Sequence, residues 1–192
     1  FLFSSIVYGF QFTIDKILLN ENQKLLNSKW VNSEYGNPGI ILETPEPLIR
    51  SENEIFNFED FISESHFYAS NNDKSLELFA INYSTNNKID PNNFQQILEL
   101  SLDKLESYGL QNFLVKYDNF ESNNGAKGLI ISGDTDFLDE KKNIKKGSYK
   151  VIGFLSQTGF KKIIILNHDK RYVREIIERI VSSIELLKEK KR

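Results

Sequence analysis

Two histidines, no cysteine and no methionine bound the chemistry open to this chain. Without Cys there is no thiol nucleophile, no iron–sulfur cluster, no Cys-based zinc site and no disulfide. A serine nucleophile needs a base beside it. Only His66 and His168 could serve. A hydrolase would require one of them beside a carboxylate and a hydroxyl.

Other short patterns are weak. His168-Asp169 falls where the last strand should turn into the last helix. The dipeptide also occurs in metal-dependent phosphohydrolases, but their further His and Asp ligands are absent, and the simpler assignment makes Asp169 a helix cap. Asp134, Asp136 and Asp139 stand at i, i+2 and i+5. Hard cations such as calcium gather such oxygen ligands. Leu138 and Asp139 depart from the EF-type loop, so the competing reading is a strand end with solvated acids. No phosphate-cradling glycine loop occurs, and no cofactor or metal site is assigned. Asn82-Tyr83-Ser84 matches the glycan acceptor pattern inside a stretch that reads as a buried strand. The candidate binding patch is aromatic and acidic: Phe58, Phe61, Phe67 and Tyr68, with Phe56, among Glu54, Glu59, Asp60 and Glu64. Aromatic rings in charged surroundings suit protein recognition; the competing reading puts those rings in the core.

The elements that would carry these residues follow from periodicity. Residues Asp15 to Asn27 could form a short amphipathic helix. Ser33 to Gly39 is rich in turn residues. A strand follows, Ile40 to Leu42, ended by Pro45 and Pro47. Ile55 to Phe61 reads as strand or short helix. His66–Ala69 and Leu76–Tyr83 form a hairpin across Asn71 to Asp73. Leu76, Leu78 and Ala80 face one side, and Phe79, Ile81 and Tyr83 the other, so this strand is expected to be central. Asp90 as N-cap and Pro91 at the first helical position open a helix. Phe94, Ile97, Leu98, Leu102 and Leu105 give it an apolar stripe, and Gly109 ends it. Strands are then expected over Phe113 to Tyr117, Leu129 to Phe137, Tyr149 to Ser156 and Phe160 to Leu166, an antiparallel meander. Asp139 to Gly147 reads as a loop. A closing helix carries Val173, Ile176, Ile177, Ile180, Val181, Ile184 and Leu187 on one stripe. Arg171–Glu175, Arg174–Glu178 and Glu175–Arg179 are expected ion pairs on its other side.

The chain has 192 residues, and 40% are hydrophobic. A chain of this size buries roughly 70% of its unfolded surface, enough to fold on its core alone. The net charge is −3, which gives no basic footprint for nucleic acid. Glu43 to Glu64 is acidic and Lys170 to Arg192 basic; both read as solvated surface. The run from Phe1 to Phe10 is apolar and uncharged, too short to span a bilayer. It reads as the end of a signal peptide, with Val7-Tyr8-Gly9 at the cleavage site; the competing reading is an N-terminal strand over Ile6 to Phe12. No other segment reaches membrane-spanning length. The expected organisation is a leader remnant over 1–10, an extension over 11–29, one domain over 30–188 and a basic tail over 189–192.

The fold class is therefore α+β, an antiparallel sheet of about six or seven strands sandwiched by helices. In element order the chain resembles the PsbP/Mog family. The resemblance is carried by Gly39-Ile40-Ile41-Leu42-Glu43-Thr44-Pro45, by the helix-and-strand unit from Asp90 to Tyr117, and by the closing stretch Arg171 to Leu186, with its Ser183-Ile184. It covers Trp30 to Leu187. It implies a non-catalytic role, since relatives include an extrinsic photosystem II subunit, a regulator that binds a small GTPase, and bacterial envelope proteins. No family site maps residue by residue onto this chain. The expected function is that of an exported bacterial, periplasmic or extracellular, binding or scaffolding domain with a protein partner. The alternative is a carrier of an apolar or amphiphilic small ligand, which would show a cavity lined by Phe and Leu. A hydrolase is the third reading.

Overall fold

The computed structural model describes residues 17, 21–51, 62–70, 75–138, 143–156, 159–168, 172 and 174–187. The expected leader remnant, the 55–61 segment, the 71–73 turn and the basic tail lie outside the described residues.

The chain is α+β, and every strand pairing is antiparallel among the described residues. A helical segment, α1 (residues 21–27), precedes a hairpin of β1 (Val31–Gly36) and β2 (Gly39–Thr44). Then come β3 (Ile49–Ser51), β4 (Ile62–Ala69) and β5 (Leu76–Thr85). Helix α2 (Phe94–Ser107) leads to β6 (Leu110–Gln111), β7 (Lys116–Glu121), β8 (Lys127–Leu138), β9 (Ile144–Leu155) and β10 (Gly159–Asn167). Helix α3 (Arg174–Ser182) and β11 (Glu185–Leu186) close the fold. The large sheet runs β3-β4-β5-β10-β9-β8-β6, with β7 on the other half of the outer edge of β8. A small sheet runs β1-β2-β11.

Strands β5 and β10 pair at the centre of the large sheet. All nine residues of β10 are buried. Two cores result, one on each face. Phe79, Ile81, Tyr83, Phe160 and Ile164 enter the first with Phe94, Leu98 and Leu105 of α2. Leu76, Leu78, Ala80, Ile163 and Ile165 enter the second with Trp30, Tyr35, Ile40 and the apolar side of α3. Burial on both faces explains the near-continuous apolar runs of β5 and β10.

Helix α2 begins as its sequence directs. Asp90 Oδ1 accepts from Asn92 N at 2.9 Å, and Pro91 opens a short 3₁₀ turn that leads into the helix. Leu98 presses so closely on Gly153 of β9 that any Cβ there would lie 2.4 Å from it. The meander β7-β8-β9-β10 is present in the expected order, but its first strand spans Lys116–Glu121 rather than Phe113 to Tyr117.

The large sheet has eight strands rather than about six or seven, and a separate three-stranded sheet stands with α3 on one face. Three local expectations also need correction. Ser33 to Gly36 is strand, not turn: it pairs with Leu42 to Gly39, and only Asn37 and Pro38 turn. Buried Tyr35 anchors it, its hydroxyl accepting from Leu48 N at 2.9 Å. The loop after Leu138 is shorter than expected, because Ile144 to Gly147 pairs with β8. The closing helix stops at Ser182 rather than running to Leu187. Ser183 Oγ donates to Ile180 O at 2.7 Å and accepts from Glu43 N at 2.8 Å. The chain then extends, Ile184 enters the second core, and Glu185 and Leu186 pair with β2.

The expected pair between Arg174 and Glu178 forms. Arg179 instead turns toward β2, where it grips Glu43 with Nη2 at 2.7 Å and Nε at 3.1 Å. It also donates to Leu26 O at 2.8 Å and lies over the Trp30 ring at 4.2 Å. Glu43 is held below its ordinary pKa by this bond, and Arg179 is raised by it. One guanidinium thus ties α1, the Trp30 segment and β2 to α3.

One charge lies in the first core. Lys162 of β10 is fully buried, with Nζ 3.0 Å from Ser101 Oγ of α2 and 5.1 Å from the centre of the Tyr83 ring. Burial pushes its amine down to a pKa of about 7. In the unfolded chain the value is about 10.4. Between these values the unfolded chain binds the extra proton, so stability rises with pH. Below pH 7 both states are protonated and the contribution is flat. Wild type should gain about 2 kcal/mol from Lys162 between pH 7 and pH 9. Lys162→Met should lack this increment in denaturant titrations at the two pH values, and equal slopes for both proteins would refute the assignment.

Candidate functional site

On the second-core face, β8 and β9 change character along their length. In register, Ile130 faces Ile152, then Ser132 faces Lys150, then Asp134 faces Ser148. Alternate residues share a face, so an apolar floor gives way to a polar one within two residue steps. Helix α3 stands over the apolar part through Ile176, Ile177 and Ile180. Beside it the polar floor forms a cleft of about 530 Å3, walled by Tyr172, Arg174, Ile177 and Glu178. Lys150 is half-buried in this floor, and burial holds its amine below the ordinary range.

A second cleft, of about 760 Å3, continues past Glu178 between α3 and β7. Phe120 and Val181 supply its apolar surface, and Glu121 and Glu175 stand on its rim. Phe120 is fixed edge-on against buried Phe154, with ring centres 5.6 Å apart. Neither cleft is a chamber of Phe and Leu, the lining that an apolar carrier would show.

The sequence-derived aromatic patch is not gathered into one surface by its described members. Phe58 and Phe61 lie outside the described residues. Phe67 is buried in the first core, 5.5 Å from the Phe79 ring. Tyr68 points to the opposite face and packs on Tyr35 at 5.4 Å. Asn82 of the glycan pattern spans the two sheets, donating from Nδ2 to Tyr35 O at 2.9 Å.

Asp136 is engaged by neighbours: Lys146 Nζ lies 2.6 Å and Asn112 Nδ2 2.9 Å from its oxygens, and the Lys146 bond holds its pKa low. Asp139 lies outside the described residues. Among the described residues no three His, Asp or Glu side chains converge as metal ligands.

The histidines sit differently. His66 lies near the surface, 3.1 Å from Glu64 and 3.2 Å from Arg50. His168, at the end of β10, places Nε2 2.8 Å from Glu77 Oε1, while Glu77 Oε2 accepts from Tyr108 Oη at 2.5 Å. The His168 ring packs on Phe137 with centres 3.8 Å apart. This sets a histidine beside a carboxylate that binds a hydroxyl. The order differs from a nucleophilic triad, where the imidazole stands between acid and nucleophile; here Glu77 holds the middle. The Tyr108 phenol is raised well above its ordinary pKa, first by burial and then by Glu77. It stays protonated, a donor to Glu77 rather than a nucleophile.

The polar floor around Lys150 and the groove along α3 were missed in the sequence. The signal was present: Ser148 and Lys150 share the face of Ile152, and Ser132 and Asp134 share that of Ile130. Only the register of β8 on β9 shows that the two changes coincide.

In comparisons with known proteins, no family model matches this chain and no curated protein matches it.

The Tyr108–Glu77 bond links the end of α2 to β5. Tyr108→Phe should cost about 1 kcal/mol in chemical denaturation, the usual net value of such a bond, and an unchanged midpoint would show that the bond contributes nothing.

Proposed function

We propose that this protein is a non-catalytic, exported binding or scaffolding domain that holds a protein partner, of the kind found among PsbP/Mog-like envelope proteins. The antiparallel sheet, with a helix on one face and a helix plus a small sheet on the other, supports the family part of this reading. Fold alone does not set function. The observation that carries the binding part is the groove between α3 and β7. Its apolar floor is half-exposed beside two carboxylates, Glu121 and Glu175, that make no ion pair among the described residues. Arg179, which lines the groove, is already committed to Glu43. Such a surface suits a polypeptide segment that presents an apolar side chain between basic ones.

The test is capture from a native envelope fraction with wild type and with Glu121→Lys/Glu175→Lys. Both sites are exposed, so folding should survive the change. A partner retained by wild type and reduced at least tenfold by the double variant is expected. Equal recovery by both proteins would overturn the groove, and recovery from the cytosolic fraction alone would overturn export.

Hydrolysis is a second reading, favoured by one observation, the placing of His168 against Glu77 and Tyr108. On the binding reading, Glu77→Gln leaves any turnover of p-nitrophenyl butyrate unchanged. A hundredfold loss in kcat with unaltered KM would instead assign the cluster to catalysis.

A further inference from the structure

Lys150 stands apart from the other charged groups of the cleft. It is half-buried, yet it makes no hydrogen bond or ion pair among the described residues. The acids that act on it at longer range already have partners: Glu178 is bonded to Arg174, and Asp118 lies 2.6 Å from Lys116. Two hydroxyls flank it. Ser132 faces it across the β8–β9 ladder, and Ser148 precedes it by two residues on the same face. Neither hydroxyl makes a hydrogen bond among the described residues. An ammonium offers three donors and each hydroxyl one more. Three side chains with uncommitted donors thus share one patch of rigid sheet at the base of a cleft of about 530 Å3.

The complement of that patch is an anion. Charge-assisted hydrogen bonds to an ionised acceptor are the stronger kind, and a half-buried cation gains most from them. The charge of the ligand is limited by the rest of the cleft. Asp134 stands on the same floor and Glu178 on the wall. Arg174 and Lys150 offset these two carboxylates, so the lining carries no surplus positive charge for a dianion, and Lys150, without a partner among the described residues, matches a single negative charge. Tyr172, half-buried, and the edge of buried Ile177 give one wall a partly apolar surface that an apolar group can meet. The volume lies in the range of small-molecule sites.

We propose that the floor formed by Lys150, Ser132 and Ser148 is a binding site for a monocarboxylate that carries an apolar group. The carboxylate oxygens accept from Lys150 Nζ and the two serine hydroxyls. The apolar group lies along Tyr172 and Ile177. The low pKa of Lys150, caused first by burial, is that of a cation short of compensating charge, and a bound carboxylate supplies it. The site does not depend on a partner in the neighbouring groove, since Glu121 and Glu175 do not line it.

The test uses the full chain, titrated with hexanoate and with hexanamide and followed by amide NMR shifts. Hexanoate should move the signals of Ser132, Ser148 and Lys150, and hexanamide should not. Lys150→Met should weaken hexanoate binding at least tenfold. Ser132→Ala, a smaller change that keeps the lysine, should weaken it several-fold while leaving the remaining spectrum intact. A short peptide ending in a free leucine carboxylate, compared with its amidated twin, distinguishes a chain terminus from a free acid as the source. Tighter binding of the free-acid peptide than of hexanoate assigns the site to chain termini. Equal binding of hexanoate and hexanamide, unaltered affinity in Lys150→Met, or no shift at these residues would each overturn the proposal.

Discussion

The structure depends on strand β10, which is buried along its whole length. A strand covered on both faces cannot be satisfied by one layer. It requires α2 and its aromatic neighbours on one side, and α3 with the small sheet on the other. Its pairing with β5 joins the early and late halves of the chain, so neither half completes a core without the other. The apolar burial is large enough to carry Lys162 inside the first core, where the cost falls on its charge rather than on its packing.

The second layer is narrower than the sheet it covers. Buried Ile176, Ile177 and Ile180 seat α3 on the second core, and Arg179 pins it to Glu43 of β2, the Trp30 ring and Leu26 O. The far half of the face is left open, and the sequence of β8 and β9 is adapted to that exposure, with Ser, Asp and Lys where the covered half has Ile. The clefts lie along the margin of α3, where this cover ends. Contact with solvent along this strip is a consequence of how far one short helix extends.

Much of the fold was legible because its signals are local. Asp90 and Pro91 announce α2 within two residues, and the alternation of β5 states that both its faces are buried. The misread elements are those whose decisive contacts are remote. Ser33 to Gly36 has the composition of a turn and becomes strand because Gly39 to Leu42 offers it a partner. Ile184 lies at helical spacing from Ile180, so the stripe looks continuous, yet the chain has left the helix and fills the same core from an extended segment. Glu175 and Arg179 have the spacing of an ion pair, but Glu43 gives Arg179 a two-point grip that an i,i+4 neighbour does not.

The candidate site divides in the same way. Composition alone removed thiol and disulfide chemistry, and apolar periodicity alone required a doubly covered antiparallel sheet, because these follow from side-chain type and strand geometry. Lys150 and Lys162 are the same residue type on adjacent strands, and nothing in their sequence neighbourhood separates them. Tertiary structure placed one beneath α2 against Ser101 and the other at the margin of α3, beside two serines. Burial and proximity across strands are properties of register and layer placement, and those are decided only when the whole chain has closed around β10.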